Sequence, residues 1–324
     1  MIKFENVSKT YSGGVEAVKN LSLSVEEGET LVLLGTSGCG KATTLKMVNR
    51  LVEPSSGYIT VQGENIMEQD PISLRRGIGY SIQHIGLFPH MTVGQNVGVV
   101  PRLLDWPRDR IESRVEKLLE MMTLPPAQFK DRYPAQLSGG QRQRVGVARA
   151  LGADPPVILM DEPFGALDPI TREQLQNEFL ELQAELKKTI LFVTHDVFEA
   201  VKMGDRIALL DRGELQQLDT PAELVESPAN QFVDDFLGQH RFQLSLLTRT
   251  VEDIVSREEE GEPESKPEDF LTLQSSLVNA LDAFKRCGAQ RLPIFRGDRR
   301  VGELHRQAVL DLITETLEET GAEA

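Results

Sequence analysis

An α/β fold built around a phosphate-binding loop, followed by a smaller second α/β domain, is the fold class the sequence predicts, and three observations predict it. The apolar run Leu31-Val32-Leu33-Leu34 leads into Gly35-Thr36-Ser37-Gly38-Cys39-Gly40-Lys41-Ala42-Thr43-Thr44 and then into the helix-like Leu45 to Leu51. Two later apolar strands, Val157 to Met160 and Thr189 to Thr194, end in the polar pairs Asp161-Glu162 and His195-Asp196. Finally, 324 residues exceed one ordinary domain and suit one of about 200–250 residues plus a smaller one.

The bulk numbers exclude several classes. Hydrophobic residues make up 40% of the chain, yet no stretch approaches the roughly 18 consecutive apolar residues of a membrane helix. Any membrane role therefore runs through a partner. The N-terminus opens as a strand, Met1 to Val7, without a charged-then-apolar leader, and two cysteines, Cys39 and Cys287, make no disulfide framework; a reducing cytoplasm is expected. A net charge of −15 argues against broad binding to nucleic acid or to an anionic membrane surface. It leaves room for a polyphosphate, because local N–H groups and one lysine outweigh charges screened beyond about 10 Å.

In chain order, Ile2 to Val7, Leu21 to Val25 and Leu31 to Leu34 read as strands. Tyr11 lies on a Gly-rich loop between the first two, where an aromatic ring can stack on adenine or simply pack. In the loop itself, Gly35, Gly38 and Gly40 let the backbone turn with its N–H groups inward, and Lys41 places a cation where β- and γ-phosphates sit. Thr36, Ser37, Cys39 and Thr43 complete the cradle. The pattern asks for Ser or Thr after the lysine, whose hydroxyl holds the Mg²⁺ of MgATP, and this chain has Ala42 there. Thr43 lies about 100° further round the helix and faces elsewhere.

Gly57 to Gly63 reads as a hairpin arm, and Ile78 to Gln83 as a strand whose terminal amide, Gln83, can reach Mg²⁺ or an attacking water. Residues 107–123 carry Ile111, Val115, Leu118, Leu119 and Met122 at helical spacing. His84 and His90 belong to no metal-ligand spacing and read as surface or packing residues. Ser138, before Gly139, Gly140 and Gln141, falls at the N-cap of a helix whose start is a second anion site. At the strand end, Asp161 suits Mg²⁺ through water and Glu162 suits polarisation of the water that attacks γ-phosphate. Asp168 precedes another helix, and His195 stands where it can sense γ-phosphate.

Taken together and in this order, Tyr11, the Gly35–Lys41 loop, Gln83, Leu137-Ser138-Gly139-Gly140-Gln141, Met160-Asp161-Glu162, Ala166-Leu167-Asp168 and His195 resemble the nucleotide-binding subunit of an ABC transporter over residues 1–240. The resemblance implies a RecA-like core with an antiparallel β subdomain and a helical subdomain. It also implies a head-to-tail homodimer with two ATPs between subunits. Each would lie between Lys41, Gln83, Asp161, Glu162 and His195 of one chain and Ser138, Gly140 and Asp168 of the other. Integral membrane permease subunits would be driven by closure, with a substrate-binding protein acting indirectly and no nucleic acid involved. The chain would sit on the cytoplasmic face of the cell membrane.

A narrower likeness, carried by Lys46 to Leu51, Ile85 to Val93 and Phe164 to Arg172, is to the ATPases of bacterial quaternary-amine importers for glycine betaine, proline betaine, choline or carnitine. An acidic linker is expected over 241–270, with seven acids between Glu258 and Asp269. The segment 271–324 resembles a single cystathionine-β-synthase (CBS) repeat, a helix over Leu277 to Phe284, strands at Arg291 to Phe295 and Val301 to Leu304, and a helix over Ala308 to Thr316. Such repeats associate in pairs, so two expectations stand side by side: each chain contributes one repeat to a pair across the dimer, or the repeat is degenerate and only caps the dimer or binds nothing. Two alternatives stand beside this reading: a non-transport ABC ATPase, disfavoured by the single nucleotide domain, the absence of heptads and the acidic balance, and a regulatory nucleotide-binding protein with little turnover, supported only by Ala42.

Overall fold

The structure, a computed structural model, describes residues 1–82, 86–165, 167–255, 266–267 and 269–319. It divides into two compact units, Met1–Leu218 and Asp219–Ala324, whereas the sequence reading draws its boundary after 240. In chain order the first ten strands are β1 (Ile2–Thr10), β2 (Glu16–Val25), β3 (Thr30–Gly35), β4 (Ser56–Val61), β5 (Glu64–Asn65), β6 (Ile78–Ser81), β7 (Val157–Asp161), β8 (Thr189–Val193), β9 (Arg206–Asp211) and β10 (Glu214–Asp219).

A sheet in the order β10-β9-β3-β8-β7-β6 forms the centre, with β3, β6, β7, β8 and β9 paired in parallel. Every residue of β3, β7 and β8 is buried, which is why these strands read as unbroken apolar runs: a parallel sheet is covered on both faces. A second sheet, β2-β1-β4-β5, is antiparallel. Its strand β1 buries Ile2, Phe4 and Val7 while Lys3 stays exposed, the alternation of a sheet with one face on the core.

Helices of this unit include α1 (Lys41–Val48), α2 (Arg108–Met121), α3 (Gly139–Ala150), α4 (Pro169–Leu186) and α5 (Val197–Met203). Helix α2 buries Ile111, Val115, Leu118 and Leu119, the stripe that the 3.6-residue spacing predicts. No helix among the described residues is long and apolar enough to cross a membrane.

The second unit holds α6 (Arg241–Thr248), α7 (Leu277–Cys287) and α8 (Arg306–Glu319), with β11 (Leu271–Thr272), β12 (Arg291–Arg296) and β13 (Arg299–His305). Its sheet runs β11-β12-β13, the first pair parallel and the second antiparallel. Phe284, Ile294, Leu304 and Val309 centre its core. Residues 241–255, counted in the linker by the sequence reading, carry α6 and bury Val251 in that core. Arg241 anchors the start of α6 by donating to the Val225 carbonyl at 3.0 Å and to Asp234 at 2.9 Å. Most of the acidic stretch Glu258 to Asp269 lies outside the described residues.

Candidate functional site

Neighbouring parallel strands end at one edge of the central sheet, so the segments that follow them are brought together by topology alone. Leu33 and Asp161 both register with Val193, and Ser81 registers with Met160. Glu162 N–H donates to the Val193 carbonyl at 3.0 Å and Thr194 N–H to the Leu33 carbonyl at 3.2 Å. The loop after β3, the carboxylates after β7 and the histidine after β8 thus share one edge. The strand β6 ends at Ser81; Gln83, expected there, lies outside the described residues, as do His84 and Ala166.

The loop is shaped by glycines that cannot be replaced. Gly35, Gly38 and Gly40 have φ of 146°, 81° and 108°, and a Cβ on Gly35 would stand 2.1 Å from the Leu210 carbonyl oxygen, one on Gly40 2.3 Å from that of Ala17. Such a backbone admits hydrogen only. Lys41, 6% exposed, donates its ammonium to the carbonyls of Gly35 at 2.7 Å and Thr36 at 2.9 Å and lies 3.7 Å from Cys39 Sγ. Helix α1 starts at Gly40 without a side-chain cap, which leaves its first N–H groups for an outside acceptor. Thr36 and Ser37 are exposed along the loop, and an anionic phosphate chain fits this donor set.

For Mg²⁺ the set is one hydroxyl short. Ala42 carries none, and the next two threonines are engaged: Thr43 Oγ1 lies 3.4 Å from the Tyr11 hydroxyl, and Thr44, fully buried, donates back to the Gly40 carbonyl at 3.1 Å. The carboxylate remains. Asp161 is 7% exposed, and burial pushes its carboxyl up, against the opposing pull of Lys46 and Lys41 and with a further push from Glu162. A carboxylate held at that cost is suited to a cation. Beside it the Tyr80 phenol is pushed up to about 12 by burial and by the Asp161 charge.

Glu162 sits in a left-handed conformation, φ 44°, a strained arrangement for a residue with a Cβ. The turn aims its carboxylate at His195, with Oε1 3.2 Å from Nδ1. The imidazole is 61% exposed and the Glu162 side chain 21%, so the pair faces outward where a phosphate and a water can reach it.

Ser138 and Asp168 make a second group. Ser138 caps α3 in a reciprocal box, its hydroxyl accepting from Gln141 N–H at 3.2 Å while Gln141 accepts from Ser138 N–H at 3.0 Å. Asp168 caps α4 by accepting from Thr171 N–H at 3.1 Å, and the Thr171 backbone and hydroxyl hold its carboxyl below the ordinary range. A Cβ on Gly140 would meet Thr171 Cγ2 at 2.8 Å, so the two helix starts pack together, and Gly139 has open space around it. Ser138 and Asp168 are both exposed.

Sequence reasoning passes over Gln176 and Glu199. They are 6% and 5% exposed and joined at 2.9 Å. The one available signal is a polar residue among the buried Leu175, Phe179 and Leu182 of α4, and a glutamate beside the buried Ala200 of α5.

The family model for the ABC transporter matches residues 18–165. The chain is 58% identical over 241 residues to the glycine betaine/carnitine/choline transport ATP-binding protein OpuCA of Bacillus subtilis, covering 74% of this chain and 63% of that protein. It therefore spans less than two thirds of that relative. It is 47% identical over 312 residues to the glycine betaine uptake system ATP-binding protein YehX of Escherichia coli, covering 96% of this chain and 99% of that one. Among solved structures, a dimeric ATP-binding cassette in a post-hydrolysis state bound to ADP and Pi matches with a TM-score of 0.61 and 36% identity, over 68% of this chain and 98% of that chain.

Proposed function

Because this chain belongs to the family of ABC-transporter ATP-binding proteins, we propose that it is the ATP-binding and ATP-hydrolysing subunit of a membrane importer for osmoprotectant quaternary amines: glycine betaine, proline betaine, choline or carnitine. The observation that carries the ATPase reading is the meeting of the Lys41 loop with the Glu162–His195 pair at one sheet edge. The compound class rests on kinship alone, glycine betaine, choline and carnitine being named for the relatives and proline betaine following from the motif resemblance, since this chain would not touch the transported molecule.

In this reading the N–H groups of the Gly35–Thr43 loop and the start of α1 hold the phosphates, with the Lys41 ammonium exchanging its carbonyl partners for β- and γ-oxygens. Tyr11, beside Thr43, lies against the adenine. Glu162 accepts a proton from the water that attacks γ-phosphorus, and His195, held to Glu162 through Nδ1, presents the rest of its ring to the γ-phosphate. Asp161 and Gln83 would hold Mg²⁺, which supplies charge neutralisation at the phosphates when bound. Ser138, Gly139, Gly140, Gln141 and Asp168 of a second copy close over the nucleotide, so the ATP-bound form is a homodimer. Ala42 weakens the cation site and slows hydrolysis more than it weakens ATP binding. The second unit adds a CBS-like repeat that pairs across the dimer.

Ala42 also favours a second reading, a nucleotide-binding regulatory subunit with little turnover. Affinity capture of the chain from membranes tests the transport reading: an integral membrane permease is expected to co-purify, whereas ribosomes would overturn it.

A further inference from the structure

Helices α3 and α4, which begin after Ser138 and Asp168, meet along two stripes. Gly140, Arg144 and Val147 share one face of α3, and Thr171, Leu175, Glu178 and Leu182 share one face of α4. Val147, Leu175 and Leu182 are buried, as is Phe179 beside them. A polar contact crosses between these apolar groups. The Arg144 guanidinium donates from Nε to Glu178 Oε2 at 3.0 Å and from Nη2 to Oε1 at 2.8 Å, with the two side chains 15% and 25% exposed. One turn earlier on α4, Gln174 Nε2 donates to the same Oε1 at 3.0 Å, so the carboxylate is also held from its own helix.

Each helix start is fastened to its own helix by the same device. Arg142, in the first turns of α3, reaches back to donate to the Leu137 carbonyl at 2.7 Å. Arg172, at the matching place on α4, reaches back to the Leu167 carbonyl at 3.2 Å. Together with the cap hydrogen bonds from Gln141 and Thr171 N–H, these contacts make each cap residue move with its helix. The place of Ser138 relative to Asp168 is then decided by how α3 sits against α4. Where the helices meet near their starts, Gly140 has no side chain to interlock and faces the Thr171 methyl group, and the apolar packing further along is non-directional. A fork of two parallel hydrogen bonds is directional and accepts one register.

We propose that Arg144 and Glu178 are a positioning pair that fixes the register of α3 against α4, so that Ser138 and Asp168 keep one spacing and reach a second copy's nucleotide together. The consequence for the nucleotide rests on the ATPase reading, whereas the geometry of the pair does not. A lysine at 144 keeps the charge and loses the fork, because an ammonium is a point charge without a fixed plane. An exchanged pair, Arg144→Glu with Glu178→Arg, rebuilds the fork across the same gap, with the Gln174 amide turned over to accept.

The test reads that spacing in the full chain without nucleotide, from nitroxide labels on the cysteines of Gly139→Cys and Ile170→Cys. Gly139 has open space where a Cβ would stand and Ile170 is 82% exposed. Cys287→Ser removes the exposed native thiol, and Cys39 is buried. Dipolar broadening of the frozen-solution spin-resonance spectrum reports the distance between the labels. The labelled parent chain is expected to show one narrow distance. Arg144→Lys and Glu178→Gln are expected to lose it to a broad or shifted distribution, and the exchanged pair to recover it. Val147→Ala, which removes packing from the same face of α3, is expected to lower the melting temperature and keep the narrow distance. An unchanged distance in Arg144→Lys or in Glu178→Gln would overturn the proposal. So would a Val147→Ala chain broadened as far as Arg144→Lys, or an exchanged pair that melts like the parent and stays broad. A failure of the ATPase reading would show in turnover of the unlabelled chain and leave these distances unchanged.

Discussion

At Gly40 a φ of 108° and the Ala17 carbonyl oxygen 2.3 Å from where a Cβ would stand leave space for hydrogen alone. Gly40→Ala is expected to cost more than about 1 kcal/mol of stability and to abolish nucleotide binding, which thermal melting and a fluorescent ATP analogue would measure. The same residue scale shows what the chain's letters reveal. Spacing alone makes the Gly35–Lys41 loop legible, because a left-handed turn that approaches another backbone tolerates only glycine. The missing hydroxyl at Ala42 is equally legible. Helix spacing already turns Thr43 away from the place of the missing hydroxyl, and the contacts of Thr43 to the Tyr11 hydroxyl and of Thr44 to the Gly40 carbonyl engage both hydroxyls elsewhere.

Between elements, the buried link from α4 to α5 has a pH signature of its own. Burial holds the Glu199 carboxyl above its ordinary value of 4.5, against the opposing pull of Thr194 and of the Gln176 hydrogen bond. The native state therefore keeps its proton at pH values where the unfolded chain has released it, and this group withdraws stability as pH rises from about 4.5 through the raised folded value. Glu199→Gln carries no such charge. Its melting temperature is expected to gain on the wild type as pH climbs through that window and to hold the gain above it; a gap that shrinks with rising pH would contradict the assignment. Strands β3, β7 and β8 and helix α2 are legible because burial on two faces or on one stripe writes itself into hydrophobic period. Helix α6 is not, since residues 241–255 are polar enough to read as linker until the Arg241 contacts and the burial of Val251 are seen. The Gln176–Glu199 pair is silent for a related reason: a long-range polar contact has no period.

For the molecule as a whole, the proposed function makes Lys41 with Glu162 and His195 of one copy, and Ser138 with Asp168 of another, the two halves of one nucleotide site. On that proposal sedimentation is expected to show a dimer with ATP and a monomer with ADP, and the slowed hydrolysis proposed for Ala42 should let the ATP dimer persist in the wild type without a Glu162→Gln substitution. The motif order carries that proposal, while the residues of segment 271–324, proposed as a CBS-like repeat, point to no ligand. In the proposed ATPase the absent hydroxyl at position 42 limits turnover. Mg²⁺-dependent phosphate release by this chain, measured beside Ala42→Ser and Ala42→Thr, tests it most directly. Both replacements are expected to raise turnover by about tenfold or more, some 1.4 kcal/mol off the barrier, with ATP affinity little changed. Equal turnover in all three would contradict it.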